Sequence, residues 1–225
     1  TLKILISLCC FTATVFSQDT TGNYYSIKKG LENPNAVINL SLDNDLTFID
    51  SITKFKNLNS LVLNNFKDQK APGSVGDLTW LKKIVILNSD FKKIPPSYRA
   101  LTNLEELVLI NDSLLDIDKT LTTFSNSKGL TILDIEGTDL ERFPKEVFKF
   151  KNLEYLKLRN DNIKVIPVEI SELKNIRILD LGDNQITIIP ESIIGLEKLE
   201  TLYFDNEKDL TFNSSFILLE KIPNL

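Results

Sequence analysis

One apolar spacing recurs along most of the chain. The pattern L-x-x-L-x-L, in which x is any residue, occurs eight times, and the steps between first positions are 21, 23, 23, 26, 23, 23 and 23 residues. A fixed period of this length is typical of a solenoid, in which each repeat buries its apolar residues against its neighbours and the stack forms an extended binding surface. The spacing therefore favours recognition over catalysis. The copies are Val37/Leu40/Leu42, Leu58/Leu61/Leu63, Leu81/Ile84/Ile86, Leu104/Leu107/Leu109, Leu130/Leu133/Ile135, Leu153/Leu156/Leu158, Ile176/Leu179/Leu181 and Leu199/Leu202/Phe204.

In four of the copies, a proline motif follows the L-x-x-L-x-L pattern, which we interpret as a strand. An apolar residue precedes the proline, and two apolar residues spaced three apart follow it, which suits a short helical turn. Proline is tolerated at the start of such a turn because its missing N–H would have no partner there. Each repeat is thus predicted to contain a strand, a turn and a short helix. The motifs are Ile94-Pro95 with Tyr98/Leu101, Phe143-Pro144 with Val147/Phe150, Ile166-Pro167 with Ile170/Leu173, and Ile189-Pro190 with Ile193/Leu196.

The L-x-x-L-x-L pattern and the proline motif together resemble the leucine-rich repeat family in its 23-residue form with an Ile-Pro dipeptide. The likeness is clearest in LRNDNIKVIPVEISELKNIRILDLGDNQITIIPESIIGL. It covers residues 37–225, and the chain is similar to secreted bacterial proteins of this family. The resemblance implies an α/β fold: a right-handed solenoid, or horseshoe, with a parallel sheet on the concave face and short helices or turns on the convex face.

The family places an asparagine three residues after the last strand leucine, where its amide bonds the backbone of adjacent coils. In this chain Asn184 alone matches. Most of the replacements still offer hydrogen bonds to buried backbone groups. Phe66 does not, so we expect a looser turn over residues 64–76. The residues at the other seven positions are Asp45, Phe66, Ser89, Asp112, Thr138, Asp161 and Glu207.

The N-terminal sequence TLKILISLCCFTATVFSQ predicts export. It has one lysine, an apolar run over residues 4–16 and then the small Ser17. The run is too short to cross a bilayer as a helix and is typical of a secretory signal that ends before Gln18. We therefore assign residues 1–17 to a signal peptide and expect a secreted, periplasmic or cell-surface protein without a membrane span in the mature chain. The alternative is an N-terminal strand that caps the solenoid.

The chain's two cysteines, Cys9 and Cys10, both lie inside this segment. A lipoprotein modified at one of them is a further alternative, against which the apolar run beyond them argues. After removal of the signal the chain would have no thiol, which excludes disulfides and cysteine-based metal sites.

Residues 18–36 are expected to cap the first coil. Ser26 is a candidate N-cap for a helix that ends by Glu32, because Asn33-Pro34 stops it. Its expected buried side consists of Tyr24, Tyr25, Ile27 and Leu31.

The remaining residues, 37–225, form the predicted repeat domain of eight repeats. The chain lacks methionine and ends at Leu225, on the first leucine of a ninth repeat. We therefore expect a fragment whose solenoid is truncated at the C-terminus. The usage of lysine, asparagine and isoleucine is typical of a bacterial gene.

The amino-acid composition excludes several classes of catalytic and binding site. The chain contains no histidine, which removes Ser-His-Asp and Cys-His catalysis and imidazole metal ligands. It has no glycine-rich phosphate loop. The net charge is −5, and the basic residues are spread along the chain, so nucleic-acid binding is not expected. We predict no cofactor, no metal site and no enzymatic activity.

The x positions of the strands should project from the concave face, and equal positions in successive repeats should form rows about 4.8 Å apart. From the second to the fourth repeat these rows are apolar. Contiguous apolar patches usually mark contact sites, although β-branched residues also simply suit strands. The apolar positions are Val62, Val85, Leu87, Val108 and Ile110.

From the fifth repeat onward the same rows are charged, with Ile132, Tyr155, Ile178 and Tyr203 interleaved. Cross-strand ion pairs explain the charges without a ligand: Lys157 lies between Asp134 and Asp180, and Glu136 is opposite Arg159. Asp134 and Asp180 are also a conceivable glycosidase pair, but Lys157 lies between them and no cleft is implied.

The sequence thus predicts a module that binds a protein or peptide on its concave face. The alternative is a structural spacer or anchor in a larger surface protein whose activity lies in a C-terminal region. The candidate ligand-binding residues are Val85, Leu87, Val108, Ile110, Tyr155, Arg159 and Tyr203.

Overall fold

The repeats form a single parallel sheet. The computed structural model describes residues 22–68, 70–205 and 217–225, so the predicted signal peptide and Glu207 lie outside the described residues. Within these described residues, nine strands pair in sequence order, each with the next. They are β1 (Asn23–Tyr24), β2 (Asn39–Asp43), β3 (Ser60–Asn64), β4 (Lys83–Leu87), β5 (Glu106–Ile110), β6 (Ile132–Glu136), β7 (Tyr155–Arg159), β8 (Ile178–Asp180) and β9 (Thr201–Tyr203).

Strands β2–β9 correspond to the eight copies of the apolar pattern, and their register confirms the prediction. Leu61, Ile84 and Leu107 are partners on successive strands, and each is fully buried. Because side chains alternate across a strand, the leucines face one continuous core and the residues between them face away from it. The predicted fold class, a leucine-rich repeat solenoid with its sheet on one side, is confirmed.

The turn that follows each strand from β2 to β8 contains a residue with positive φ. The position after the outward residue that ends the pattern is left-handed at Asn88 (φ 50°), Asn111 (φ 55°), Asn160 (φ 55°) and Gly137 (φ 63°). Asparagine and glycine tolerate this conformation better than other residues. The repeated asparagines therefore turn the chain out of the sheet, which the sequence analysis did not recognise.

The proline motifs form the predicted short helical turns on the side opposite the sheet. Each turn begins directly after its proline, and the apolar residue three positions after the proline, for example Tyr98 or Ile170, is fully buried. The 3₁₀ turns of the chain are Pro34–Ala36, Ile49–Lys54, Gly73–Asp77, Pro96–Ala100, Lys145–Lys149, Val168–Glu172 and Glu191–Gly195.

The 26-residue repeat differs from the others because it contains a true α-helix. Helix α2 (Ile117–Phe124) begins at Asp116, whose carboxylate accepts a hydrogen bond from the Lys119 N–H at 3.0 Å. Leu121 and Phe124 are fully buried. The three extra residues relative to the 23-residue period thus lengthen a turn into a helix and leave the core pattern intact.

The described part of the N-terminal segment contains a short helix and a strand. Helix α1 (Ile27–Gly30) has Ser26 as its N-cap, and the Ser26 hydroxyl accepts from the Lys29 N–H at 3.2 Å. Ile27 is buried, whereas Tyr25 is 47% exposed and does not belong to the buried side. The segment also contributes β1, which pairs with β2 and was not predicted.

A ladder of side-chain hydrogen bonds links successive coils at the positions where the family has asparagine. Asn184 behaves as the family implies: its Oδ1 accepts from the Asp161 and Ile163 N–H groups at 3.1 and 3.0 Å. Its Nδ2 donates to the carbonyls of Leu158 at 2.7 Å, Leu181 at 2.8 Å and Gly182 at 3.2 Å. One amide therefore satisfies backbone groups of two adjacent coils.

Ser89 and Asp112 make fewer of these hydrogen bonds than Asn184 does. Ser89 Oγ accepts from the Phe66 N–H at 3.2 Å, and Asp112 Oδ1 accepts from the Ser89 N–H at 2.7 Å. Phe66 itself is buried and stacks on Phe91 with 5.7 Å between ring centroids. In the described part of residues 64–76, aromatic packing thus takes the place of the missing hydrogen bonds.

At the C-terminal end, residues 217–219 are helical. Ile222 is buried, and Leu219 and Leu225 pack against the core while remaining partly exposed. Across the residues that the structure describes, no helix is long and apolar enough to cross a membrane.

Candidate functional site

The outward side chains of β2–β9 form the concave face, and their rows are the predicted ones. In the middle row, partners on neighbouring strands run from Ser41 to Tyr203. The next row runs from Asp43 to Arg159. The face divides into an apolar half on β3–β5 and a charged half on β6–β9. The middle row is Ser41, Val62, Val85, Val108, Asp134, Lys157, Asp180 and Tyr203, and the next row is Asp43, Asn64, Leu87, Ile110, Glu136 and Arg159.

The apolar half consists of Val62, Val85, Leu87, Val108 and Ile110. It is less exposed than we predicted, because Val85 and Val108 are each only 8% exposed. Equal positions on neighbouring strands lie about 4.8 Å apart, so adjacent β-branched side chains cover one another. Val62, Leu87 and Ile110 remain partly exposed. The surface that this half offers for contact is therefore made mainly by Val62, Leu87 and Ile110.

Lys157 holds the first of two ion-pair networks in the charged half. Its ammonium lies 3.7 Å from the Asp134 carboxylate and also pairs with Glu136. Both carboxylates are on β6, the strand that precedes Lys157. The predicted pairing of Lys157 with Asp134 is confirmed, while Glu136 pairs with Lys157 rather than with Arg159.

Arg159 holds the second network, which extends in the opposite direction. Its guanidinium lies 3.2 Å from Asp180 on β8 and donates at 2.9 Å to Asp205, just after β9. It also pairs with Asp183. The expected pair between Arg159 and Glu136 was wrong because the arginine side chain is long enough to cross two strands toward three carboxylates.

The sequence analysis did not consider Asp183, since it belongs to the turn position after the row and not to a strand. The signal for it was the 23-residue equivalence with Asn160, and both residues have a left-handed backbone. A second pair was also missed: Lys83 and Glu106 are partners on β4 and β5, and their charged groups lie 2.6 Å apart.

Burial on this face disturbs the carboxylates unequally. Burial raises the pKa of Asp134 to about 6, against the attraction of Lys157. It also raises the pKa of Asp180, although the Gly182 N–H and Arg159 oppose the shift. By contrast, hydrogen bonding to Arg159 lowers the pKa of Asp205. Asp134, which borders the apolar half, is thus more easily neutralised than Asp205.

The two tyrosines occupy different rows of the charged half. Tyr155 is the partner of Ile132 and Ile178 on the flanking strands, so the three side chains form an apolar strip along one border of the charges. Tyr203 is the partner of Asp180 on the last strand. Both tyrosines are partly exposed. The seven predicted residues therefore share one face but do not converge on a single pocket.

An open depression lies at one end of this face. It has a volume of about 370 Å³, is polar and lies at the amino ends of β2–β6 beside Lys83 and Glu106. Within residues 22–68, 70–205 and 217–225, no group of three acidic, histidine or cysteine side chains is placed to hold a metal ion. The face is an extended surface suited to contact with another surface or an extended segment.

Comparison with known proteins agrees with the repeat and the fold. A family profile described as a leucine-rich repeat region matches residues 116–222. No curated protein sequence matches the chain.

Solved bacterial structures share the architecture. A leucine-rich repeat protein of Leptospira interrogans superposes with a TM-score of 0.63 at 25% identity, over 89% of this chain and 62% of that one. The internalin InlF of Listeria monocytogenes gives a TM-score of 0.65 at 21% identity, over 89% and 56%. Internalin C2 of the same species gives 0.59 at 16% identity, over 82% and 78%.

The chain thus spans about three fifths of the length of the first two structures. Proteins of this fold are typically binding modules and not enzymes. The regular spacing, the parallel sheet of the described residues and the family match together show that residues 116–222 are a leucine-rich repeat region within a leucine-rich repeat fold.

Proposed function

We propose that this chain is a recognition module that binds a protein or peptide on its concave face. The observation that carries the proposal is the division of one continuous face into an apolar half and a charged half on a shared backbone register. Apolar side chains supply contact area without direction, whereas fixed ion pairs present charge at defined points. An elongated partner that crosses β3–β9 would meet both.

Arg159 and the partly exposed apolar residues are the proposed contact points. Leu87 and Ile110 are partners on adjacent strands, and both retain exposed surface. Binding energy at interfaces concentrates in a few well-desolvated residues. We assign that role to Leu87, Ile110 and the Tyr155 strip, with the charged half setting orientation and specificity.

A double variant tests the site. Leu87→Asp with Ile110→Asp places two charges on the apolar half while the buried leucines beneath remain. We expect at least a tenfold loss of affinity for a partner captured from the surface or medium of the producing organism. The matched control is Val165→Asp with Val168→Asp, since both valines are more than 60% exposed and lie away from the concave face.

The comparison has a clear negative outcome. If the first variant is folded by circular dichroism and keeps parental affinity, while the control loses it, the concave site is wrong.

A structural spacer or anchor remains the second candidate, and one observation favours it. Lys157 and Arg159 are already paired with carboxylates of the same face, so the charged half is internally satisfied without a ligand. If no partner is captured by the parent chain under conditions in which it is folded, the spacer is the better account.

The setting of this function is part of the proposal. The apolar run over residues 4–16 supports export by a signal peptide that is removed before Gln18. Expression in a secreting host should give a mature mass that begins at Gln18. Exported protein that retains residues 1–17 would contradict the signal.

A further inference from the structure

Two buried ladder positions carry an acid where Asn184 carries an amide. Asp112 and Asp161 lie three residues after the last buried strand leucine, and both are completely buried. Asp161 Oδ1 accepts from the Thr138 N–H at 2.7 Å and from the Thr138 hydroxyl at 2.9 Å. Asp112 Oδ1 accepts from the Ser89 N–H at 2.7 Å. In each case Oδ1 of the aspartate accepts a backbone N–H hydrogen bond, as Oδ1 of Asn184 does.

The second oxygen of each acid lacks the hydrogen bonds that the Asn184 side chain makes at the same place. Asp112 Oδ2 and Asp161 Oδ2 are shielded from solvent and have no hydrogen-bond partner among the described residues. In Asn184 the corresponding atom is Nδ2, which donates to the carbonyls of Leu158, Leu181 and Gly182. An ionised carboxylate has no hydrogen to donate there, whereas a carboxylic acid does.

The 23-residue repeat indicates which backbone groups surround these oxygens. One coil before Asn184, the carbonyls equivalent to those of Leu158 and Leu181 are those of Ile135 and Leu158, beside Asp161. Carbonyl oxygens carry partial negative charge, so they repel an ionised oxygen and accept from a protonated one.

We propose that Asp112 and Asp161 are neutral carboxylic acids in the folded solenoid and act as a pH-sensitive pair that tightens the coils in acid and loosens them when it ionises. A protonated Oδ2 donates to the backbone carbonyls as the Asn184 amide does. Ionisation removes that donor and leaves a buried charge without a counterion.

The charged neighbours of Asp112 and Asp161 also raise the pKa of these two acids. Glu136, on the coil that precedes Asp161, is negative. Asp90, on the coil that precedes Asp112, is also negative, and it lies 4.0 Å from Lys67 at the surface. Asn184, on the following coil, is neutral. Burial is the largest cause of the shift and raises the pKa of each acid to about 7, while the accepted N–H bonds oppose it.

The sign of the effect follows from linkage. The folded-state pKa, about 7, lies above the ordinary value of 3.8 for aspartate. Folding therefore takes up protons between these values, and the stabilisation is complete below pH 3.8 and is lost as the pH rises through about 7. The pair should weaken the solenoid near neutral pH and above.

The pair lies close to the concave face. Asp112 follows Ile110 by two residues, and Asp161 follows Arg159 by two. Each acid therefore anchors the turn that ends a strand of the proposed binding surface. A change in their protonation acts on the position of one apolar and one charged contact residue.

Asparagine substitution tests the pair because Asn184 shows that an amide fits the ladder. In the parent chain, the urea midpoint of unfolding should fall between pH 5 and pH 8. In Asp112→Asn with Asp161→Asn, the fall should be smaller, and the midpoint at pH 8 should exceed that of the parent. The matched control is Asp45→Asn, the ladder position of the first coil, which is exposed and should keep the parental pH dependence.

A direct titration guards against variants that fail to fold. In the parent, the side-chain carboxyl ¹³C resonances of Asp112 and Asp161 should titrate with midpoints near 7. Midpoints near 4, or parallel pH profiles for the parent and the double variant, would overturn the proposal.

Discussion

The two halves of the concave face share a backbone and differ in what it displays. Leu109, beneath the apolar half, and Leu179, beneath the charged half, are both fully buried, and every strand from β2 to β9 pairs in the same register. The outward positions change from valine and isoleucine to aspartate, lysine and arginine. The comparison teaches that the inward positions specify this fold, so the outward positions are available for recognition.

The halves also differ in how their side chains are held. In the apolar half, neighbours on adjacent strands cover one another. In the charged half, each cation reaches carboxylates on other strands, and the cost is the burial of Asp134 and Asp180, whose pKa values are raised. A surface of this kind is ordered before any partner arrives.

The largest expected effect tests whether the halves share one core. Leu109→Ala and Leu179→Ala each remove a fully buried side chain and should lower the free energy of unfolding by about 2 to 5 kcal/mol. Urea unfolding of the two variants measures this. Losses below about 1 kcal/mol at either site would place that leucine outside the core, and a one-residue slip of the strand would explain it.

A smaller effect is expected from the charged half itself. Asp180 is only 8% exposed and accepts from the Gly182 N–H at 3.0 Å besides pairing with Arg159. Asp180→Ala leaves both groups without that acceptor and should cost about 1 to 3 kcal/mol.

Glu200→Ala is the control for this variant. Glu200 makes a two-bond pair with Arg177 in which both side chains are about half exposed, and its loss should cost clearly less than the loss of Asp180 because solvent screens the pair. Equal costs for the two variants would show that the concave network is no more constrained than a surface pair.

The smallest stability effect concerns pH. The pKa of Asp134 is raised to about 6 by burial, above the ordinary 3.8, so its contribution is present below pH 3.8 and is lost as the pH rises through about 6. Asp134→Asn should therefore remove a fall in unfolding free energy on the order of 1 kcal/mol between pH 4 and pH 7. No apolar-half residue titrates, so Val108→Ala should leave the pH profile parallel to that of the parent.

Sequence spacing predicted the fold well because burial of the leucines dominates it. The inward residues of β2–β9, the turns after the prolines and the cap at Ser26 follow from local rules. The ladder was predicted in part: Asn184 behaves as the family resemblance implies, whereas the packing of Phe66 on Phe91 depends on two coils whose contact no single repeat reveals.

The site was less predictable because side-chain reach is not encoded in register. The rows placed Arg159 opposite Glu136, but the guanidinium turns the other way, where three carboxylates surround it. Likewise, the rows identified Val85 and Val108 as outward residues but did not show that their neighbours cover them.

Photo-cross-linking tests the central claim, that the concave face is the binding surface, most directly. A benzophenone-bearing residue is introduced at Leu87 on the concave face and, separately, at Val168, which is 66% exposed away from it. The captured partner should cross-link to the chain modified at position 87 and not to the chain modified at position 168. Cross-linking from position 168 alone would contradict the account.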